Sequence, residues 1–327
     1  MISIVRNNQI INLLILVPYT FIVRAHSLIY PQLYEIGEDD SFLAKWIFSW
    51  LGENALLHSI ISVLLVYAIA VIVAVLANKY RLFQRQNLFS AYFFVLLASL
   101  ISEIQVLSPV LIALGFFTLY IRSCMMIYRN HLNVFEIFNM GLFALLSGML
   151  YPPFMMLIIA SFFVILFFEG FDVKAFLLLI LGVLAMAIII YSFFYFFDIP
   201  FSTDTETLGM SRVLSDGSYW VFDRILYVSI VMLLMLFGLS SYYTFLKKKI
   251  IDARKRITFL FLITILMSVI PFLFVATDIY FLLVLALLGS LFIAFYLDGL
   301  RNNVLVETIH LILIIILFGF QFSFINI

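Results

Sequence analysis

The sequence predicts an all-α, polytopic membrane protein, and two observations support this fold class. Of the 327 residues, 66% are hydrophobic and 11% are charged, whereas soluble domains are about 45–50% apolar. The apolar residues also form long continuous runs, as membrane helices do, rather than the alternating segments of about ten residues that build an outer-membrane barrel. This composition excludes a soluble globular domain.

Eleven apolar runs of about 15–24 residues, separated by polar residues, predict eleven helices within one integral membrane domain, 1–327. The third and the sixth are shorter than the usual span of about 17–25 residues. They are expected to form tight hairpins or re-entrant segments, so the number of spans lies between nine and eleven. The predicted helices are 9–24, 55–78, 88–103, 106–122, 134–150, 153–168, 175–198, 223–246, 257–274, 279–297 and 304–323.

The distribution of Lys and Arg predicts the orientation in the bacterial inner (cytoplasmic) membrane. With the N-terminus in the cytoplasm, fourteen of the 18 basic residues fall in inner loops, many of them in the basic loop 246–257. Such a bias is typical of cytoplasmic loops, and eleven spans then place the C-terminus outside. A cleavable signal peptide is the alternative interpretation of residues 1–25. The basic residues left outside are Arg24, Lys45, Arg212 and Arg224.

Four carboxylates lie close together in the first outer loop, 25–54. The stretch YEIGEDDSF contains Glu35, Glu38, Asp39 and Asp40 within six positions. Carboxylates packed together repel one another unless they are solvated or share a cation or a basic partner. The four are therefore candidate catalytic residues, and a divalent cation is a candidate cofactor.

The same loop continues into a predicted surface helix, 41–54, with the sequence SFLAKWIFSWLGEN. Its apolar and aromatic residues recur at helical spacing, so that they share one face. Two tryptophans on such a face are typical of a helix that lies in the membrane interface. The residues on this face are Phe42, Trp46, Ile47, Trp50 and Leu51.

The second large outer loop, 198–222, and the residues just after it contain two arginines among aromatic residues, Arg212 and Arg224. A guanidinium group binds phosphate with two parallel hydrogen bonds, so both arginines are candidate substrate-binding residues. The alternative is an ion pair with a neighbouring acid such as Asp216.

Ionisable residues near membrane depth complete the candidate site, because charge at that depth usually has a function. Arg24 and His26 close the first helix on the outside, and Glu103 ends the third. These three are candidate substrate-binding residues. Three others are expected to be structural rather than a proton path, because long side chains reach water easily near the cytoplasmic boundary: Glu136, Glu307 and His310.

The sequence lacks the motifs that are typical of several function classes. It has no Gly-rich phosphate loop, no H-E-x-x-H and no G-x-S-x-G, and its single cysteine, Cys124, has no partner for a disulfide within the chain. The formal net charge is zero, so nucleic acid is not an expected partner.

The layout resembles GT-C-type glycosyltransferases, which use polyprenyl-phosphate-linked sugars. The resemblance lies in the acids of 35–40, the surface helix after them, and the short connected helices of SEIQVLSPVLIALGFFTLYIRS and FEIFNMGLFALLSGMLYPP. It covers about residues 1–224, and the sequence is also similar to uncharacterised integral membrane proteins of the Bacteroidota. The short outer loop after the third predicted helix departs from the pattern, because it offers Glu103 without a paired acid.

The resemblance implies a role for each candidate. An outer carboxylate would act as general base on the acceptor hydroxyl or hold a divalent cation against the donor phosphate, and outer arginines would bind that phosphate. Membrane lipids, a lipid-linked sugar and other membrane proteins are the expected partners. Two alternatives remain open: a non-catalytic integral subunit of an envelope assembly, and a transporter.

Overall fold

A computed structural model describes residues 10–37, 40–83, 86–127, 133–168, 170–197, 251–273, 279–300 and 303–323, and single helical positions at 229, 233 and 236. These residues form helices, turns and extended segments without a strand, so the all-α class is confirmed for the described part of the chain. Predicted span 223–246 lies almost entirely outside it.

Twelve α-helices are described, together with three short 3-10 turns at Glu103–Gln105, Pro152–Met155 and Ile279–Phe281. In chain order the α-helices are α1 Ile10–Val23, α2 Ala25–Ile29, α3 Phe42–Leu51, α4 Ala55–Lys79, α5 Phe89–Leu97, α6 Pro109–Ile127, α7 Val134–Leu150, α8 Met156–Phe168, α9 Val173–Phe196, α10 Ile251–Leu273, α11 Leu282–Gly299 and α12 Asn303–Ser323.

Five of the described segments are long and apolar enough to cross a membrane, namely Ala55–Lys79, Pro109–Ile127, Val173–Phe196, Ile279–Gly299 and Val304–Phe322. A chain with several such helices is a membrane protein by length and composition. Shorter apolar helices lie between them, including Asn12–Val23, Val134–Leu150 and Pro152–Phe168. The number of about eleven spans therefore stays a prediction.

The contacts between helices show their relative directions. Tyr19 of α1 contacts His310 of α12, and Val23 contacts Gln321 further along both helices, so α1 and α12 run parallel. Helix α4 is antiparallel to α1, because Arg24 donates to Ser62, whereas Leu13, earlier in α1, accepts from Tyr67, later in α4. The predicted orientation requires the same directions for these three helices.

The described basic residues are sorted between the two ends of the bundle. Arg24 and Lys45 lie at the end where α1 finishes and α4 begins, which we call the outer end. The other seven lie at the opposite end, which we call the cytoplasmic end after the predicted orientation; they are Lys79, Arg81, Arg122, Lys174, Arg254, Lys255 and Arg256. Basic residues of membrane proteins are typically enriched on one side in this way.

The core is built around α5 and α11. Every residue of α5 is buried, and nearly all of α11 is buried as well. Helix α9 has the opposite character, with much of its apolar surface exposed. It packs on α7 through two glycines: a Cβ on Gly141 would lie 2.4 Å from the Leu179 carbonyl oxygen, and one on Gly182 would lie 2.2 Å from that of Phe138. Small residues allow this close crossing.

The third predicted helix, 88–103, is shorter in the structure, because α5 ends at Leu97 and a 3-10 turn follows only at Glu103–Gln105. Three of the five residues between them are apolar, so hydropathy does not reveal the break. A broken helix inside a membrane protein needs new partners for its free carbonyl groups. Those partners come from helices distant in the sequence.

Candidate functional site

Arg24 lies at the outer end of the bundle and has no exposed surface. Its guanidinium group donates four hydrogen bonds to neutral oxygen atoms. Nε donates to Ser99 Oγ at 3.2 Å, one terminal nitrogen to Ser62 Oγ at 2.6 Å, and the other to the carbonyl oxygens of Ala98 at 3.2 Å and Ile104 at 3.5 Å. None of these acceptors is a carboxylate.

Two glutamine side chains bind the same break in α5. Gln105 Nε2 donates to the Ser99 carbonyl oxygen at 2.8 Å. Gln321 Nε2 donates to that same oxygen at 2.9 Å and to the Val23 carbonyl oxygen at 3.0 Å. The carbonyl groups freed by the break are therefore bound by side chains of α12, of the 3-10 turn and of the α1–α2 junction.

The position of Arg24 explains how a buried cation is accommodated without a described acid beside it. The C-terminus of a helix carries roughly half a negative charge, and a cation there is stabilised by up to about 2 kcal/mol in buried geometries. Ala98 is the C-terminal cap of α5 and accepts from Arg24. Arg24 thus stabilises the end of the broken helix, and its guanidinium is enclosed by the protein rather than open to a substrate.

The amide oxygens of Gln105 and Gln321 are buried and have no hydrogen-bond partner among the described residues. Both amides use their nitrogen atoms to bind carbonyl groups, which fixes their orientation. The outer end therefore contains one fully engaged cation and two unused acceptors. We call Arg24, Ser62, Ser99, Gln105 and Gln321 the outer polar cluster.

The acidic stretch forms a closed turn at its described positions. Asp40 accepts a hydrogen bond from the Tyr34 hydroxyl at 2.9 Å and, through its other oxygen, from the Gly37 amide at 2.8 Å. Glu35 is exposed on the turn. Because both oxygens of Asp40 bind within the turn, this carboxylate positions its neighbours. Glu38 and Asp39 lie outside the described residues.

The helix predicted over 41–54 is present as α3, Phe42–Leu51. Ser41 is its N-cap, accepting from the Ala44 amide at 3.2 Å and donating to the Leu150 carbonyl oxygen at 2.9 Å. Trp46 packs edge-on against Phe193 of α9, with ring centroids 4.9 Å apart. The loop is thereby fixed to α7 and α9.

The remaining predicted substrate-binding residues differ in their exposure, and two of them are not described. His26 is buried beside Tyr30 and Phe322, and burial lowers the pKa of its imidazole, so the ring is neutral at pH 7. Glu103 is exposed on the 3-10 turn, adjacent to the Ile104 carbonyl group that Arg24 binds. Arg212 and Arg224 lie outside the described residues.

In the described part of the chain, no group of three or more His, Cys, Asp or Glu side chains is arranged to hold a metal ion. The divalent cation predicted at the acidic stretch stays a prediction, because two of its four carboxylates, Glu38 and Asp39, are not described.

A second group of polar residues, at the cytoplasmic end, is one that sequence reasoning missed as a unit. The Arg256 guanidinium lies over the Tyr80 ring at 4.4 Å from its centroid, and Arg256 Nε donates to the Met125 carbonyl oxygen at 3.0 Å. Burial raises the pKa of the Tyr80 hydroxyl, and the charges of Arg256, Glu136 and Arg122 also act on it. We call Tyr80, Arg122, Glu136 and Arg256 the inner polar cluster.

The three residues expected to be structural have different surroundings. His310 is buried and its Nε2 lies 2.9 Å from the Tyr19 hydroxyl. Glu136 is buried in the inner polar cluster instead, and Glu307 is half-buried one turn before His310. The His310–Tyr19 pair ties α12 to α1, which is a structural role.

Residues 41–327 match the family model of DUF6427, described as a family of unknown function. Because this match spans well over half of the chain, the chain belongs to that family. No curated protein and no solved structure matches it.

Proposed function

We propose that this member of the DUF6427 family is a GT-C-like enzyme of the bacterial inner membrane, which transfers a sugar from a polyprenyl-phosphate-linked donor at the outer face. The observation that carries the proposal is the fixed geometry of the acidic turn. Asp40 closes the turn, and Ser41 anchors α3 directly after it. A general base must be held within hydrogen-bond reach of the group that it deprotonates.

Each residue has a defined part in the proposed reaction. Glu35, Glu38 or Asp39 takes the proton of the acceptor hydroxyl, whose oxygen forms a bond to the anomeric carbon of the sugar. The bond between that carbon and the phosphate oxygen breaks, and polyprenyl phosphate leaves with the electron pair. Arg212 and Arg224 neutralise the charge of the leaving phosphate.

Three other residues have positioning roles in this proposal. Asp40 shapes the acidic turn. Arg24 holds the segment from Ala98 to Ile104, and with it the exposed carboxylate of Glu103. His26 packs the end of α2 against α12. The substrate therefore meets the acidic turn and Glu103 rather than Arg24.

The proposal includes the topology, with eleven spans, a cytoplasmic N-terminus and both large loops outside. Support comes from the position of the described basic residues, of which only Arg24 and Lys45 lie at the outer end. It also comes from the parallel course of α1 and α12, which an odd number of spans requires.

The experiment is a complementation test in cells from which the gene has been deleted. Lipid extracts are analysed by mass spectrometry for polyprenyl-phosphate-linked sugars, which accumulate when their consumer is lost. The complementing variants are Glu35→Gln, Glu38→Gln and Asp39→Asn, each checked for expression in the membrane. At least one of them is expected to leave the donor accumulated, as the deletion does.

Asp172→Asn is the matched control. Asp172 is a carboxylate at the cytoplasmic end, where it caps α9 by accepting from the Lys174 amide, and Asn caps equally well. This variant is expected to restore the wild-type lipid profile. The proposed enzyme activity would be refuted if all three outer variants restored the wild-type lipid profile. It would also be refuted if the deletion strain did not accumulate the donor.

A non-catalytic subunit of an envelope assembly is the second candidate, and the geometry of Asp40 favours it. A carboxylate with both oxygens bound inside its own turn is typical of a structural residue. This candidate predicts co-purification with other membrane proteins at a fixed ratio, and wild-type function in all the acid variants above.

A further inference from the structure

The inner polar cluster contains more unmatched polar groups than a structural role requires. Tyr80 Oη and Glu136 Oε2 are both buried without a hydrogen-bond partner among the residues that the structure describes. Arg122 forms neither a hydrogen bond nor an ion pair with any described residue, although it is half-buried. Buried polar groups are nearly always paired in native proteins, so each unpaired one requires an explanation.

These groups belong to one place in the fold. Tyr80 caps α4 and lies under Arg256 of α10. Arg256 also binds the Met125 carbonyl group near the end of α6, one turn after Arg122. Glu136 lies in the first turn of α7, the helix that follows α6 and packs on it. Four helix ends therefore meet at the cytoplasmic end of the bundle.

The charges at this place have both signs. Arg122 and the Tyr80 hydroxyl are donors that suit an anion, and the planar guanidinium suits phosphate in particular. Glu136 is an acceptor that suits a cation carrying N–H groups. A single ligand satisfies all of them only if it carries a phosphate and an ammonium group within a few bonds of each other.

We propose that the inner polar cluster binds the phosphoethanolamine head group of a phospholipid in the inner leaflet, with the phosphate on Arg122 and Tyr80 and the ammonium group on Glu136. The location at the cytoplasmic end favours a lipid, because inner-leaflet head groups lie at this level. Arg256 positions the Tyr80 ring and adds positive charge. The inference concerns the opposite face from the proposed acidic-turn chemistry and does not depend on it.

The state of Tyr80 agrees with this role. Burial raises the pKa of its hydroxyl above the usual range, so the group keeps its proton at neutral pH and donates it to an acceptor. A phosphate oxygen is such an acceptor, whereas a second cation is not.

The test is native mass spectrometry of the purified full-length chain in detergent, with an equimolar mixture of phosphatidylethanolamine, phosphatidylglycerol and phosphatidylcholine of identical acyl chains. Wild-type protein is expected to retain phosphatidylethanolamine preferentially. Arg122→Met is expected to lower its retention about tenfold, as the loss of one charged hydrogen bond does. Glu136→Gln is expected to bind phosphatidylethanolamine and phosphatidylglycerol equally, because the phosphate contacts remain.

Lys174→Met is the matched control, because Lys174 is an exposed basic residue at the same end of the bundle; it is expected to retain lipids as the wild type does. Thermal unfolding of every variant in phosphatidylcholine shows whether it is folded, and Tyr80→Phe gives a second, milder test of the phosphate contact. Equal retention of the three lipids by the wild type would overturn the proposal, as would unchanged preference in both Arg122→Met and Glu136→Gln. Displacement of the lipid by equimolar soluble phosphoethanolamine or inorganic phosphate would overturn the assignment to a lipid.

Discussion

At the outer end of the bundle Arg24 donates hydrogen bonds to four acceptors. At the cytoplasmic end Arg122 donates to no acceptor among the residues that the structure describes. Both arginines lie at the end of an apolar helix, and both are charges at the edge of a hydrophobic core. The difference lies in their neighbours. Arg24 meets a broken helix whose carbonyl groups need donors. Arg122 lies close enough to act electrostatically on Tyr80, as Glu136 does, and both of these have a buried oxygen without a partner among the described residues.

This comparison separates two uses of an arginine in a membrane protein. Where the hydrogen bonds of the guanidinium are supplied by the protein, its removal damages the fold. Where the protein leaves the hydrogen bonds of the guanidinium unmade, removal of the arginine affects the binding of a ligand. Substitutions in the two polar clusters, compared with one at Tyr19 outside them, distinguish these two outcomes.

The largest effect is expected for Arg24→Met. The substitution leaves the Ala98 carbonyl group at the end of α5 without its donor and removes the cation from the helix C-terminus. We expect a loss of about 3 kcal/mol in the free energy of unfolding, measured by steric trapping or mild denaturant unfolding in bicelles. Arg24→Lys keeps the charge but not the fork of donors, so an intermediate loss is expected. Stability equal to the wild type in both variants would show that the outer polar cluster is not structural.

Gln321→Leu is expected to lower the free energy of unfolding by about 1 kcal/mol. The leucine cannot donate to the carbonyl oxygens of Val23 and Ser99, and the bridge from α12 to the α5 break is lost. The effect is smaller than for Arg24 because Gln105 still binds Ser99, and because the unpartnered amide oxygen is removed as well. The same unfolding assay measures it, and a loss as large as that of Arg24→Met would contradict this division of roles.

Two tyrosines give a matched pair of hydroxyl deletions. Tyr19→Phe removes the hydrogen bond to His310 and is expected to destabilise by about 1 kcal/mol. Tyr80→Phe removes a buried hydroxyl that has no partner in the described part of the chain, so stability is expected to change by less than about 0.5 kcal/mol or to rise. Thermal unfolding of both variants in phosphatidylcholine distinguishes the two cases. The reverse order would mean that the Tyr80 hydroxyl has a structural role.

The smallest effect on stability is expected for Arg122→Met in phosphatidylcholine, within about 0.5 kcal/mol of the wild type. Arg122 makes no contact there whose loss would leave a described group unpaired. A double-mutant cycle with Glu136→Gln tests this directly by thermal unfolding. A coupling free energy above about 1 kcal/mol would show that the two residues pair structurally.

The parts of the fold that follow local patterns could be predicted from the sequence. Helix α3 is present where its helical spacing predicted it, although the residues that it buries, Ala44 and Phe48, lie outside the predicted face. The break after Leu97 could not be predicted, because three of the five residues that follow are still apolar. Its partners, such as Gln321, lie more than two hundred positions away in the sequence, so no local pattern reveals them.

The candidate site divides in the same way. The acids near Asp40 were evident from their spacing, but only the structure shows that both oxygens of Asp40 bind within the turn. The inner polar cluster depends on the meeting of α4, α6, α7 and α10, and Tyr80 carries no charge that would single it out. The sequence offered two signals, Glu136, which was expected to be structural, and Arg122 near the end of an apolar run, which was counted only as evidence of orientation.

We propose that Arg24 stabilises the fold and that Arg122 binds a ligand, and one measurement tests both statements. Thermal unfolding of the wild type, Arg24→Met and Arg122→Met is followed in nanodiscs of phosphatidylcholine and of phosphatidylcholine mixed with phosphatidylethanolamine. We predict that Arg24→Met unfolds at lower temperature in both lipids and still gains stability from phosphatidylethanolamine. Arg122→Met is predicted to match the wild type in phosphatidylcholine and to gain nothing from phosphatidylethanolamine. Equal destabilisation of the two variants in phosphatidylcholine, or an undiminished gain in Arg122→Met, would contradict the claim.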